Sequence, residues 1–267
     1  MVRNTTSSFL KAARELFEQW QSLTIMIGLY AALLIVIYLC VSIKEATPAQ
    51  VTITFALIVA TPLLFFSLQM VIASFANTGS KQTPVFDSIL NSWKLLVISL
   101  PVILATAFIL FLINKLQSHF PLAIIPPANP YVAVGSSETT KPIHWATVTL
   151  TSFRYLFLGV LAPLALIQFW ISASRDGLLR SLRSFLNHLI RTVDPHSLLT
   201  YLAGFLLFAV IPYLLLSKTT STTRPWLEIS LFSARLITAF CLTLFGWAVT
   251  VRAVSLGMEA APAKKAA

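Results

Sequence analysis

Charge is the scarcest property of this chain. Only 10% of its 267 residues are Asp, Glu, Lys or Arg, and nine of them are acidic; an ordinary soluble domain carries roughly 25% charged residues. With 57% hydrophobic residues and a mean hydropathy of +0.83, this excludes a water-soluble globular protein. Cysteine is nearly absent. Cys40 and Cys241 lie inside apolar runs and read as small packing residues, so no secreted-type disulfide framework is expected. The four histidines (His119, His144, His188, His196) belong to no HExxH motif and have no CxxC or carboxylate pair to complete a hydrolytic or metal site. A P-loop is also missing, which leaves this chain without an ATP-driven step. The sequence therefore assigns no catalytic, cofactor or metal residue, and a non-enzymatic role is expected.

Long apolar runs dominate instead, at about 22–43, 51–75, 95–114, 154–173, 197–216 and 229–251. Each can cross a ~30 Å hydrocarbon core. The expected fold is all-α: a single six-span membrane domain over 22–257, preceded by an amphipathic helix over 1–21 and followed by a flexible tail over 258–267. The first run is too long for a secretory signal and lacks a small-residue cleavage site after Cys40, so it is expected to stay in the mature protein. Thr47-Pro48, Thr83-Pro84 and Asp194-Pro195 each place a capping oxygen before a proline at the first helical position. Pro62, Pro101, Pro163 and Pro212 fall within spans. Neighbouring helices, hydroxyl side chains or local 3₁₀ turns are expected to satisfy the carbonyls they free.

The net charge of +10 reads as a topology signal and calls for no nucleic-acid partner. With the N-terminus inside, 12 Lys and Arg fall in cytoplasmic segments. Lys44, Lys115, Lys141, Arg154, Lys218 and Arg224 are the 6 left outside, over a longer total loop length. The bias predicts both termini in the cytoplasm. Trp20, Trp93, Trp170 and Trp247 fall near inner ends, and Trp145 and Trp226 near outer ends, so all six indoles are expected in interfacial belts.

Three cytoplasmic stretches show a single apolar face at helical spacing. The first presents Phe9, Leu10, Ala13, Leu16, Phe17 and Trp20, with Lys11/Glu15 and Arg14/Glu18 pairing at i,i+4 on the other side. The second spans about three turns around Val85, Phe86, Ile89, Leu90 and Trp93. The third, a helix over 177–193, sets Leu178, Leu182, Phe185 and Leu189 against Arg180, Arg183 and Arg191, and is the most basic. Lys11, Arg14, Arg180, Arg183 and Arg191 are the candidate contacts to anionic headgroups. Each stretch precedes an outward and a returning span, which predicts three units beginning near Ser8, Pro84 and Gly177. Pro62 and Gln69 in one returning span match Pro163 and Gln168 in another; the third returning span has neither.

The outer segment 115–152 contains Pro121, Pro126, Pro127, Pro130 and Pro142 between apolar patches, and is expected to form a cap on the outer face or a docking surface for another chain. Arg235 is the one charge placed deep in a span, seven residues after Glu228. Arg235, Gln69 and Gln168 are the intramembrane polar candidates. Arg235 is expected to snorkel outward to Glu228 or lipid phosphate, and the glutamines to bond across helices. With no carboxylate in the middle thirds of the spans, ion-coupled transport has little support.

Ala76-Asn77-Thr78-Gly79-Ser80-Lys81, followed by Val85-Phe86-Asp87-Ser88-Ile89-Leu90 and Trp93-Lys94-Leu95-Leu96, resembles bacterial multi-pass proteins in the style of the membrane domain that accompanies some glycerophosphodiester phosphodiesterases. In that family a separate soluble barrel does the hydrolysis, so the resemblance implies a membrane anchor or accessory module in a bacterial inner membrane and transfers no catalytic residue. The expected function is an integral membrane scaffold or accessory subunit that contacts anionic lipid and has a membrane-protein partner or a second copy of itself. The competing reading is a transporter or channel for a small or lipid-like solute. A continuous polar cavity reaching Arg235, Gln69 or Gln168 would favour transport.

Overall fold

The structure, a computed structural model, describes residues 2–43, 47–78, 89–119, 145–218 and 224–260. These are helical throughout, with no strand among them. Helix α1 (Val2–Glu18) leads into the first span, α2 (Trp20–Ser42). The second and third spans are α3 (Pro48–Thr78) and α4 (Ser92–Ser118). The fourth joins α5 (Trp145–Leu156) to α6 (Ala162–Asp176) through a π-helical turn, Phe157–Leu161. Two short helices, α7 (Leu178–Arg183) and α8 (Phe185–Thr192), precede the fifth span, in which α9 (Pro195–Phe205) and α10 (Ile211–Ser217) flank a second π turn, Leu206–Val210. The sixth is α11 (Pro225–Ala260). Six helices are thus long and apolar enough to cross a membrane, and the chain is an all-α, multi-pass membrane protein.

Two helix starts form as the sequence dictates. Gln50 N–H donates to Thr47 Oγ1 (3.3 Å) while Thr47 N–H donates to Gln50 Oε1 (2.9 Å), a reciprocal cap at the head of α3. Ser197 N–H donates to Asp194 Oδ2 (3.3 Å) at the head of α9. Thr83-Pro84 and most of the outer segment, 120–144, lie outside the described residues. The fourth span begins nine residues earlier than expected, which draws Arg154 into its helix, where Nη1 donates to Asn114 Oδ1 (3.4 Å).

The intramembrane prolines divide into two pairs. Pro62 and Pro101 sit inside continuous α-helix. Pro163 and Pro212 each follow a π turn: Ala162 N–H donates to Phe157 O, and Ile211 N–H to Leu206 O, both five residues back. Widening the turn just ahead of the ring relieves its clash with the preceding carbonyls. Pro163 still leaves the carbonyl four residues earlier, on Gly159, without its helical donor. The Tyr201 hydroxyl of the fifth span donates to that oxygen at 3.1 Å. Tyr201→Phe should strand a half-buried carbonyl and cost about 1 kcal/mol, read as a lowered Tm in detergent; an unchanged Tm would mean that the bond contributes nothing.

The returning spans α3, α6 and α11 meet in the middle, and each outgoing span lies against its own returning partner: α2 on α3, α4 on α6, and α9–α10 on α11. The fourth span is the hub. Of its most apolar window 56% is buried, against 11–22% in the other five. Helix α1 docks on α11, and α7 and α8 dock on α6. Packing is uneven along the spans. Nearly all the buried side chains lie toward the end that holds α1 (Val71, Phe75, Leu95, Ile98, Ile167, Phe169 and Val251 among them), whereas toward the far end Tyr38, Phe55, Phe108 and Tyr213 face outward.

The expected single helix over 177–193 is broken. Ser184 adopts φ −93°, ψ 18°, and its hydroxyl donates to Arg180 O (2.9 Å), which ends α7 and lets α8 start afresh. Gly177 (φ 82°) makes the preceding corner, where a side-chain-bearing residue would be strained.

Candidate functional site

Helix α1 is more than an interfacial stripe. Ala12 and Leu16 are fully buried, while Leu10, Phe17 and Trp20 point outward, so the apolar face is shared between the protein and its surroundings. Arg14 pairs with Glu18 as expected (2.8 Å). Glu15 does not pair with Lys11. It accepts from Arg252 Nε at 2.7 Å, the two side chains being 14% and 7% exposed. Arg252 Nη1 also donates to Ala76 O (2.5 Å). That carbonyl belongs to the last turn of α3, where helical acceptors lack intrahelical donors and the macrodipole favours a cation. One guanidinium, which sequence counting placed among the loop charges, thus ties α1 and α3 to α11. Further polar contacts join the same end: Asn77 Nδ2 donates to Ile171 O (2.9 Å), and the Ser172 and Ser181 hydroxyls meet at 2.9 Å between α6 and α7.

Arg235 snorkels outward, with a different partner from the one expected. Its Nη1 donates to Lys218 O (2.6 Å), the carbonyl that closes α10, rather than to Glu228. The cation thereby sits at a helix C-terminus, where the macrodipole favours it.

The tryptophans correct the belt prediction. Trp20, Trp93, Trp145 and Trp226 are exposed, as interfacial indoles are. Trp170 is 4% exposed and donates to Ser99 Oγ (2.8 Å), and half-buried Trp247 donates to Gln69 Oε1 (2.8 Å). Protein acceptors reach both N–H groups inside the bundle, so neither needs the headgroup layer. Gln69 therefore bonds across helices as expected. Gln168 does not: it is fully buried, and neither of its amide atoms has a partner among the described residues.

These aromatics enclose a cavity of about 370 Å³ where five spans converge. Tyr30, Phe65, Trp170, Phe208 and Trp247 share its wall with aliphatic side chains, and Gln69 and Thr243 add polar groups. It reaches neither Arg235 nor Gln168. Among the described residues no three His, Cys, Asp or Glu side chains gather in a metal-binding group.

A second recess, of about 820 Å³, lies at the α1 end between Trp93, Gly177, Leu179, Arg180 and Arg183. Both arginines are exposed and make no ion pair with any described residue. The one carboxylate on the recess, Asp176, is taken by Arg175 Nε (3.3 Å). The recess is therefore cationic with an indole on its rim. Lys11 is exposed on α1, and the Arg191 side chain lies outside the described ones. No family model, curated protein or solved structure matches the chain.

Proposed function

We propose that this membrane protein is a non-enzymatic scaffold or accessory subunit that holds anionic lipid at its basic end, with that end and both termini in the cytoplasm of a bacterial inner-membrane protein. One observation carries the reading: Arg180 and Arg183 make no ion pair among the described residues and stand on the rim of a recess that also presents the Trp93 indole. A phosphodiester headgroup would meet two guanidinium forks, and the indole suits the interfacial layer. The Lys and Arg asymmetry supports the orientation, and the sequence resemblance to a phosphodiesterase-associated membrane domain supports an anchoring role without chemistry. Transport is the weaker reading, because the central cavity, though it reaches Gln69, is walled mainly by apolar side chains and stops short of both Arg235 and Gln168.

The test is lipid selectivity in nanodiscs, read with spin-labelled phosphatidylglycerol against phosphatidylcholine. Each cation near an anionic surface is worth about 1 kcal/mol, so replacing Arg180 and Arg183 by Glu should lower the preference for phosphatidylglycerol by roughly tenfold or more. Adding Arg191→Glu should lower it further and disturb insertion of the fifth span. Selectivity and topology equal to those of the unaltered protein would remove the lipid-holding role.

A further inference from the structure

The central cavity has features that packing alone does not require. Gln69 is 5% exposed, and its amide oxygen is engaged by Trp247. Its amide nitrogen bonds nothing among the described residues and remains as a donor on the cavity that Gln69 lines. A buried amide left half-satisfied in an apolar setting is costly unless something else accepts from it. One π turn borders the space, and the other lies just before a proline that does. Phe208 of the second turn forms part of the wall, and Pro163, two residues past the first, forms another part. Such turns are rare and cluster at functional sites. The volume falls within the range of small-molecule pockets, as do aromatic walls with few polar groups. Phe65 is 37% exposed on one side of the cavity, in an apolar stretch of the second span, which leaves a way in from the hydrocarbon layer.

We propose that this cavity binds a membrane-dissolved molecule with an apolar body and a carbonyl oxygen, which accepts from the Gln69 amide nitrogen while the body stacks among Phe65, Trp170, Phe208 and Trp247. The acceptor follows from chemistry: the one polar group that Gln69 leaves unused is a donor. Two sources carry such a group, the acyl ester of a bilayer lipid and a free quinoid compound. The site is separate from the basic recess and does not depend on headgroup binding there.

Photolabelling tests it. The full-length protein is placed in nanodiscs of diether phosphatidylcholine, which lacks acyl carbonyls. Two probes are compared, an ester phosphatidylcholine with a diazirine near its carbonyl and a decyl-benzoquinone with the same photoreactive group. The expected result is saturable labelling of peptides around Gln69 and Leu244, competed by the unlabelled carbonyl compound and not by more diether lipid. Labelling by the ester probe assigns a lipid acyl ester, and labelling by the quinone assigns a free quinoid compound. Gln69→Leu should raise the half-saturating concentration about three- to tenfold, the value of one hydrogen bond. Leu244→Trp, which fills the cavity, should abolish saturable labelling; competition in the unaltered protein decides the matter if that variant does not fold. Labelling that never saturates with either probe and spreads over outward-facing residues such as Val41, Phe55 and Phe108 overturns the proposal.

Discussion

Arg252→Leu should be the most damaging single change in the polar framework, with an expected loss of about 3–5 kcal/mol, since removing one partner of a buried pair leaves the other charge uncompensated. Arg252 donates to two acceptors on two different elements, so its loss exposes two deficits together: Glu15 loses its counter-charge, and Ala76 O loses its donor. The 14% exposure of the Glu15 side chain lets some water reach it and moves the expectation toward the lower end of that range. The measurement is Tm in detergent together with amide exchange along α1. Ala12 and Leu16 should lose protection before the spans do, because α1 meets the bundle mainly through α11, the helix that carries Arg252. Glu15→Gln keeps an acceptor for the guanidinium and should cost less. If Arg252→Leu unfolds at the temperature of the unaltered protein, the pair contributes nothing and α1 is held by its apolar contacts.

Gly204→Leu should separate the fifth span from the sixth. A Cβ at Gly204 would stand 2.1 Å from Thr250 Oγ1 and 2.4 Å from its methyl carbon. Thr250 has no room to retreat: it is fully buried, and its hydroxyl is bonded to Gly246 O at 2.5 Å. Gly246 and Thr250, four residues apart, form the small-residue surface that lets α11 approach its neighbour closely. Overpacking a fitted site costs about 1–3 kcal/mol and occasionally more. Alanine should reach that range, and leucine should exceed it. Gly204→Ala combined with Thr250→Gly should recover most of the loss, which would tie the effect to this one contact. Gly28 and Gly159 serve as controls, since nothing lies within 4 Å of a Cβ at either. Alanine there should be neutral or stabilising by up to about 1 kcal/mol through helix propensity. Equal behaviour of Gly204→Ala and Gly28→Ala would sink the close-approach argument.

Information that acts along the chain was legible in the sequence. The six spans follow from run length, and the starts of α3 and α9 from a capping oxygen before a proline. The outward reach of Arg235 follows from the cost of leaving a cation in hydrocarbon. What was missed acts across the chain. An i,i+4 rule pairs Glu15 with Lys11 because both lie on one helix, and it has no access to a guanidinium 237 positions away. The belt rule reads indole position along a span, whereas the acceptors that hold Trp170 and Trp247 inside lie on α4 and α3. Pro163 was visible as a helix disruptor, but the remedy combines a widened turn with a tyrosine from another span. The break at Ser184 carried a local signal, a serine in mid-helix able to bond back to the preceding turn, and the apolar periodicity masked it.

Two of the three amphipathic stretches dock on returning spans. The first amphipathic helix rests on the returning span of the third unit, and the third rests on the returning span of the second. Ile89, from the second, packs against the central apolar cluster, and residues 79–88 of that stretch lie outside the described ones.

The concentration of buried side chains toward the α1 end bears on how the protein meets bilayers of different thickness. A span longer than the local hydrocarbon layer adjusts by tilting. Near α1 the six spans are bound together by interlocked side chains, the Arg252 pair and the Gly204–Thr250 contact, so a change of tilt there would break packing. At the other end Tyr38, Phe55, Phe108 and Tyr213 face outward and share little surface with neighbouring spans. Thickness changes should therefore be taken up at one leaflet only, with the spans pivoting about their tightly packed ends.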